Sequence, residues 1–324
     1  MSKQITLADI QAAHARIAAH IQPLRITASQ ALSSRFDSEI LLAHEYLQTT
    51  GAFKLRGAMN SVLQLAPGTT GVTAVSTGNH GRGLAYAARQ AGVPCIICMS
   101  ELVPQNKLEG IRALGAETRI IGKSQDEAEV EARRLVSEEG YTMLPPFDHA
   151  HIIAGQGTLG LEMLEQVPEV DTILVQLSGG GLVSGIALAI KAQNPDVRIV
   201  AVSMQRGAAM AASQAAGAPV EVEELPTLAD SLGGGIGLDN QYTFAMVRDY
   251  VDEIVLLDEL EIAEGIRHAY FSEQAIVEGS GAVGLAALLA GKVKPGNKTI
   301  VLMSGQNIDM QLHRKVINRE TPYG

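Results

Sequence analysis

Strand-length apolar runs alternate with helix-length stretches along most of this chain, and that alternation constrains the fold more than any single motif. Val72–Ser76 reads as a strand, Gly81–Gly92 as a helix, and the run around Cys95 as the next strand. A helix is predicted from Gln105 to Leu114, a strand over Thr118–Ile121, and a charged helix over Glu127–Glu138 that Ser124 can cap. A second series follows His149: helix Thr158–Gln166, strand Thr172–Leu177, helix Val183–Gln193, strand Val197–Ser203 and a late strand Thr299–Met303. Parallel neighbours need a crossover helix, so this order predicts an α/β protein with parallel sheets covered by helices. At 324 residues the chain exceeds one ordinary domain. A small domain is expected over residues 61–147, inserted into a larger one formed by 1–60 and 148–324.

The formal net charge of −10 argues against nucleic acid, whose binding needs clustered cations to displace counterions. No apolar run is long enough to span a bilayer, and the first residues lack a secretory pattern, so a cytoplasmic enzyme is expected. Cys95 and Cys98 form a Cys-x-x-Cys inside an apolar strand. Residues three apart on a strand face opposite ways, so the two thiols are expected to be separate and structural.

Lys54 lies in Gly51-Ala-Phe-Lys-Leu-Arg-Gly-Ala58, too apolar a setting for a casual surface charge. Desolvation favours the neutral amine, which can form an imine with an aldehyde. Ser178-Gly179-Gly180-Gly181-Leu182 falls at a strand-to-helix turn, where free amides and the helix dipole attract an anion such as phosphate. It lacks the Gly-Lys-Ser/Thr ending of a nucleotide loop, and Ser184 stands where a dinucleotide fingerprint needs glycine. Ser76-Thr77-Gly78-Asn79-His80-Gly81 offers hydroxyls, an amide and helix-start N–H groups suited to a carboxylate; it equally suits an ordinary cap and turn. Ser304, at the end of the last strand, lies where ligands of such sheets bind, although a simple turn former is the commoner fate of such a residue.

Taken in order, these four segments resemble the fold-type II pyridoxal 5′-phosphate enzymes. The Phe53-Lys54-x-Arg56-Gly57-Ala58 pattern is similar to threonine/serine dehydratases and serine racemases. Ser124–Ala128, Ala154–Thr158 and Leu228–Asn240 resemble the threonine-dehydratase-like subgroup associated with hydroxyectoine utilisation. The resemblance implies that Lys54 holds pyridoxal phosphate covalently and, once freed, takes the substrate's α-proton. It places Phe53 beside the pyridine ring, Asn79 on the ring's 3′-oxygen, and Gly179, Gly180, Gly181 and Leu182 around the phosphate. Ser304 would meet the pyridine nitrogen, and Ser76, Thr77, Asn79 and His80 would surround the substrate carboxylate.

The expected reaction is α,β-elimination from a β-hydroxy-α-amino acid, threonine or serine in generic form, giving a 2-oxo acid and ammonia; a homodimer is implied. Racemisation or β-replacement on the same cofactor is the alternative, and a non-enzymatic phosphate-ligand protein a more distant one. Thr77 stands where racemases of the family carry serine, which disfavours racemisation. Ser203 stands where their divalent-cation site begins with an acid, so no metal is expected there. Gln306 replaces the second glycine of the usual Ser-Gly-Gly-Asn.

Overall fold

The computed structural model describes residues 4–103 and 105–320. Its ten strands are β1 (Ile26–Ala28), β2 (Glu39–Ala43), β3 (Val72–Val75), β4 (Cys95–Met99), β5 (Glu117–Ile120), β6 (Thr142–Met143), β7 (Thr172–Gln176), β8 (Arg198–Met204), β9 (Glu253–Leu257) and β10 (Lys298–Leu302). They form a six-stranded sheet, β1-β2-β10-β7-β8-β9, and a four-stranded sheet, β5-β4-β3-β6. Every pairing is parallel except β1 with β2. The fold is α/β, as the alternation predicts.

Both faces of the larger sheet are buried, so its strands are almost wholly apolar. Leu174, Val200, Val202 and Val301 point into one core, and Ile173, Val175, Ile199 and Ile300 into the other. Each such side chain contributes roughly 1.5–3 kcal/mol by leaving water. Cys95 and Cys98 obey the same alternation: they are free, buried, and packed in different clusters on opposite faces of the smaller sheet. Burial pushes the Cys95 thiol up to about 12, so it is an inert apolar side chain.

The main correction lies after His149. The helix runs over Ala150–Gln166, a full two turns earlier than the predicted Thr158 start, despite Gly155 and Gly157 inside it. Those glycines weaken local helix propensity but permit close helix contact. A Cβ on Gly155 would lie 2.6 Å from the Gly57 Cα, and one on Gly157 would lie 2.8 Å from the Gly185 carbonyl oxygen. Tertiary packing thus overrides propensity. The helix at Asn79–Ala91 likewise starts two residues before the predicted Gly81, and Gly181–Lys191 two before Val183, because the turn residues themselves form the first helical turn.

Candidate active site

Parallel strands deliver their carboxyl ends to one edge of a sheet, where open backbone groups and helix starts collect. β10 lies between β2 and β7, so Ser304 after β10 and Ser178–Gly181 after β7 emerge side by side. The chain following β2 is stitched to the same edge: Ala52 and Gly305 form an isolated bridge, and the Phe53 N–H donates to the Ser304 carbonyl oxygen at 3.0 Å. This brings Lys54, the first residue of helix Lys54–Val62, to the sheet edge. β3 carries Ser76–His80 in from the smaller sheet, and all these segments line one cavity of about 230 Å³.

Lys54 Nζ donates to the Pro146 carbonyl oxygen at 2.7 Å and lies 5.2 Å from the Phe53 ring centroid. Burial lowers its pKa to about 8, making the neutral amine accessible near physiological pH. Two residues on, Arg56 is fully buried and pairs with two carboxylates. Its Nε and Nη2 donate to Glu45 at 2.7 and 3.0 Å, Nη1 donates to Glu162, and Nη1 also reaches Thr158 Oγ1 at 3.0 Å. This network ties the lysine's helix to two neighbouring segments.

Ser76 Oγ accepts the Gly78 and Gly81 N–H groups at 3.3 and 3.1 Å, so its hydroxyl shapes the turn. Asn79 is held at both ends of its amide: Nδ2 donates to Glu278 Oε1 and Oδ1 accepts from Asn307 Nδ2, each at 2.7 Å. Its Nδ2 retains a second N–H for a ligand. His80 Nε2 meets the Leu144 carbonyl oxygen at 2.8 Å, which makes Nε2 the protonated ring nitrogen of a neutral imidazole. Burial, then the neighbouring Lys54 charge, lowers its pKa to about 3, so His80 can meet a carboxylate by hydrogen bonding but carries no charge.

Gly180 has φ +88°, a left-handed conformation that favours glycine, and caps helix Gly181–Lys191. Gly179 is required for a different reason: a Cβ there would overlap the Phe147 ring. A Cβ on Gly181 would stand 2.8 Å from the Phe147 carbonyl oxygen. Bare backbone at a helix amino terminus therefore faces the cavity, the arrangement an anionic phosphate requires. Three buried polar atoms on the cavity wall, His80 Nδ1, Gln176 Oε1 and Ser280 Oγ, have no protein partner, which marks the space as built for a polar ligand. A desolvated lysine, a phosphate cradle and unpartnered polar groups fit pyridoxal phosphate.

The Pyridoxal-phosphate dependent enzyme family model matches residues 17–305. The chain belongs to that family. A Sinorhizobium fredii protein provisionally named a threonine dehydratase is 56% identical over 97% of this chain and 96% of its own length. The L-threonine ammonia-lyase of Thermotoga maritima is 39% identical over 97% of this chain and 79% of its own. The structure of maize serine racemase superposes with a TM-score of 0.91 at 34% identity, covering 98% of both chains.

Phe53, Lys54, Ser76, Thr77, Asn79, His80, Gly179, Gly180, Gly181, Leu182 and Ser304 all line the cavity. Glu278 and Gly233 line it too, whereas Arg206 lies outside and donates to the Pro226 carbonyl oxygen. Pro146, Phe147 and Lys107 carry no sequence signal of function, and Asp230 only its place in the Leu228–Asn240 stretch; all four reach the cavity through the folding of distant segments. Glu278 is buried, and burial followed by repulsion from Asp230 pushes its carboxyl up to about 7.

Proposed function

We propose that this protein is a pyridoxal-phosphate-dependent ammonia-lyase that converts a β-hydroxy-α-amino acid of the threonine or serine type to a 2-oxo acid and ammonia. The observation that carries the reading is the buried Lys54 amine in one cavity with the glycine turn. Pyridoxal phosphate, when bound, supplies an electron sink conjugated to the substrate's Cα. Lys54 would be its attachment point and afterwards the base at Cα, with the Pro146 carbonyl oxygen steering the amine. Gly179–Leu182 would hold the phosphate, Phe53 would flank the ring, and Asn79 would meet the 3′-oxygen.

Ser304 would meet the pyridine nitrogen. A hydroxyl cannot keep that nitrogen protonated as a carboxylate would, which weakens the sink and favours prompt loss of the β-hydroxyl over long-lived charge at Cα. Ser76, Thr77, Asn79 and His80 receive the substrate carboxylate through hydroxyl, amide and helix-start N–H groups. Water leaves from Cβ, and the resulting enamine tautomerises and hydrolyses to the 2-oxo acid and ammonia.

Residues 61–147 act as a small domain against 1–60 and 148–324. The protein works as a homodimer in the cytoplasm, a reading supported by exposed Phe271, Tyr270 and Met310 on neighbouring helices; among the described residues no helix is long and apolar enough to cross a membrane. The subgroup resemblance supports a hydroxyectoine-derived amino acid as the physiological substrate.

The deciding experiment is incubation of the purified yellow protein with L-threonine, assaying 2-oxobutyrate and ammonia. Both should form in equal amounts, and Lys54→Ala should abolish the colour and reduce turnover by at least 10³-fold, on the order reported for loss of an essential catalytic group. Exchange of the α-proton with solvent in the absence of ammonia would move the reading to racemisation. A wild type that takes up no cofactor would overturn it altogether.

A further inference from the structure

Lys107 and Asp230 line the cavity, yet neither has a part in holding the cofactor or the substrate carboxylate. Lys107 lies near the start of helix Gln105–Ala113, which packs beside the smaller sheet, and Asp230 opens the short helical turn Asp230–Leu232 on the side of the larger one. Lys107 Nζ donates to Asp230 Oδ2 at 2.7 Å, so the pair closes across the cleft between the two halves. Asn79 joins the same halves deeper inside, through Glu278 and Asn307.

Lys107 also stands at a partition. Beside the cofactor cavity lies a second, of about 160 Å³, reaching Arg82, Gln306 and Asn307. Lys107 and Ser231 line both spaces. With side chains 27% and 53% exposed, Lys107 and Asp230 remain within reach of an incoming ligand. An uncharged substrate side chain leaves the pair intact. A carboxylate there gains Lys107 but meets Asp230, and an ammonium meets the reverse, so either must break the pair or face a like charge in a partly desolvated place.

We propose that the Lys107–Asp230 pair selects the substrate side chain: closed on itself across the cleft, it admits short uncharged side chains and disfavours charged ones. This rests on the lyase reading for its substrate class. A hydroxyectoine-derived substrate fits it only if the side chain is uncharged.

The test uses wild type, Asp230→Asn and Lys107→Gln, each loaded with pyridoxal phosphate. Each is titrated with L-2-aminobutyrate, L-aspartate and L-2,4-diaminobutyrate, following the change in cofactor absorbance. None of these amino acids has a β-hydroxyl, so the readout is independent of lyase turnover; absence of 2-oxobutyrate from threonine would sink the reaction reading and leave this result standing. Asp230→Asn should improve the affinity for aspartate relative to 2-aminobutyrate on the order of tenfold, and Lys107→Gln should do the same for 2,4-diaminobutyrate, the scale of one partly screened charge contact. Unchanged affinity ratios in both variants would overturn the proposal. Should a single variant fail to bind cofactor, the exchange Lys107→Asp with Asp230→Lys restores a neutral pair and must retain wild-type selectivity; altered selectivity there would overturn it equally.

Discussion

Two titratable side chains in the cavity are displaced from their ordinary values in opposite senses of charge, and burial is the cause in both. Lys54 moves down to about 8 and Glu278 up to about 7, each toward its neutral form. For Glu278 the linkage to stability can be worked out. Between its ordinary value of 4.5 and about 7 the folded protein holds a proton that the unfolded chain has released. Stability from this group is therefore fully present below pH 4.5 and is lost as pH rises to about 7. Denaturant titrations of the cofactor-free protein should show Glu278→Gln removing that loss, a difference from wild type of at most about 3 kcal/mol across the window. Parallel pH profiles for the two proteins would rule out the upward shift of the Glu278 carboxyl.

At the scale of the element, the glycine turn is where local and tertiary demands meet. Gly180 needs its positive φ, a property a strand-to-helix turn rich in glycine announces. Gly179 needs room for the Phe147 ring, a property of a segment some thirty residues earlier in the chain. Gly179→Ala should consequently push Phe147 and the cradle apart and weaken cofactor binding at least tenfold, with a stability loss of about 1–3 kcal/mol typical of overpacking. Equilibrium dialysis against pyridoxal phosphate, beside thermal melts of the cofactor-free forms, measures both; unchanged affinity would show that the cradle does not touch the phosphate. The helix at Ala150–Gln166 teaches the same lesson in reverse. Its glycines read as a break in isolation, yet they let it press against Gly57 and Gly185.

At the scale of the whole molecule, three exposed apolar residues, Tyr270, Phe271 and Met310, gather where one helix end meets another. Tyr270 and Phe271 end helix Glu259–Phe271, Tyr270 stacks edge-on against His313 at 5.4 Å, and Met310 begins that neighbouring helix. Phe271 is 64% exposed, more than a buried-core role would allow. A second copy of the chain covers this face in the proposed homodimer. Phe271→Glu should shift the protein from dimer to monomer in sedimentation at micromolar concentration, while a dimer of undiminished stability would place the interface elsewhere.

How much of this was legible beforehand follows from what each feature depends on. The alternation of apolar runs with helices determined the α/β class, since parallel pairing requires crossovers and a doubly covered sheet requires wholly apolar strands. Lys54, Ser76–His80, Gly179–Leu182 and Ser304 were legible because each sits at a strand end or helix start, where local chemistry exposes backbone and polar groups. The antiparallel edge strand β1 and the pairing of β2 with β10 left no such local trace. Only the tertiary structure joined Asn79 to Glu278, 199 residues away, and Lys107 to Asp230, 123 away. Contacts across a closing cleft depend on how two separately built sheets are set against each other, and no short-range pattern of hydrophobicity or turn chemistry encodes that placement.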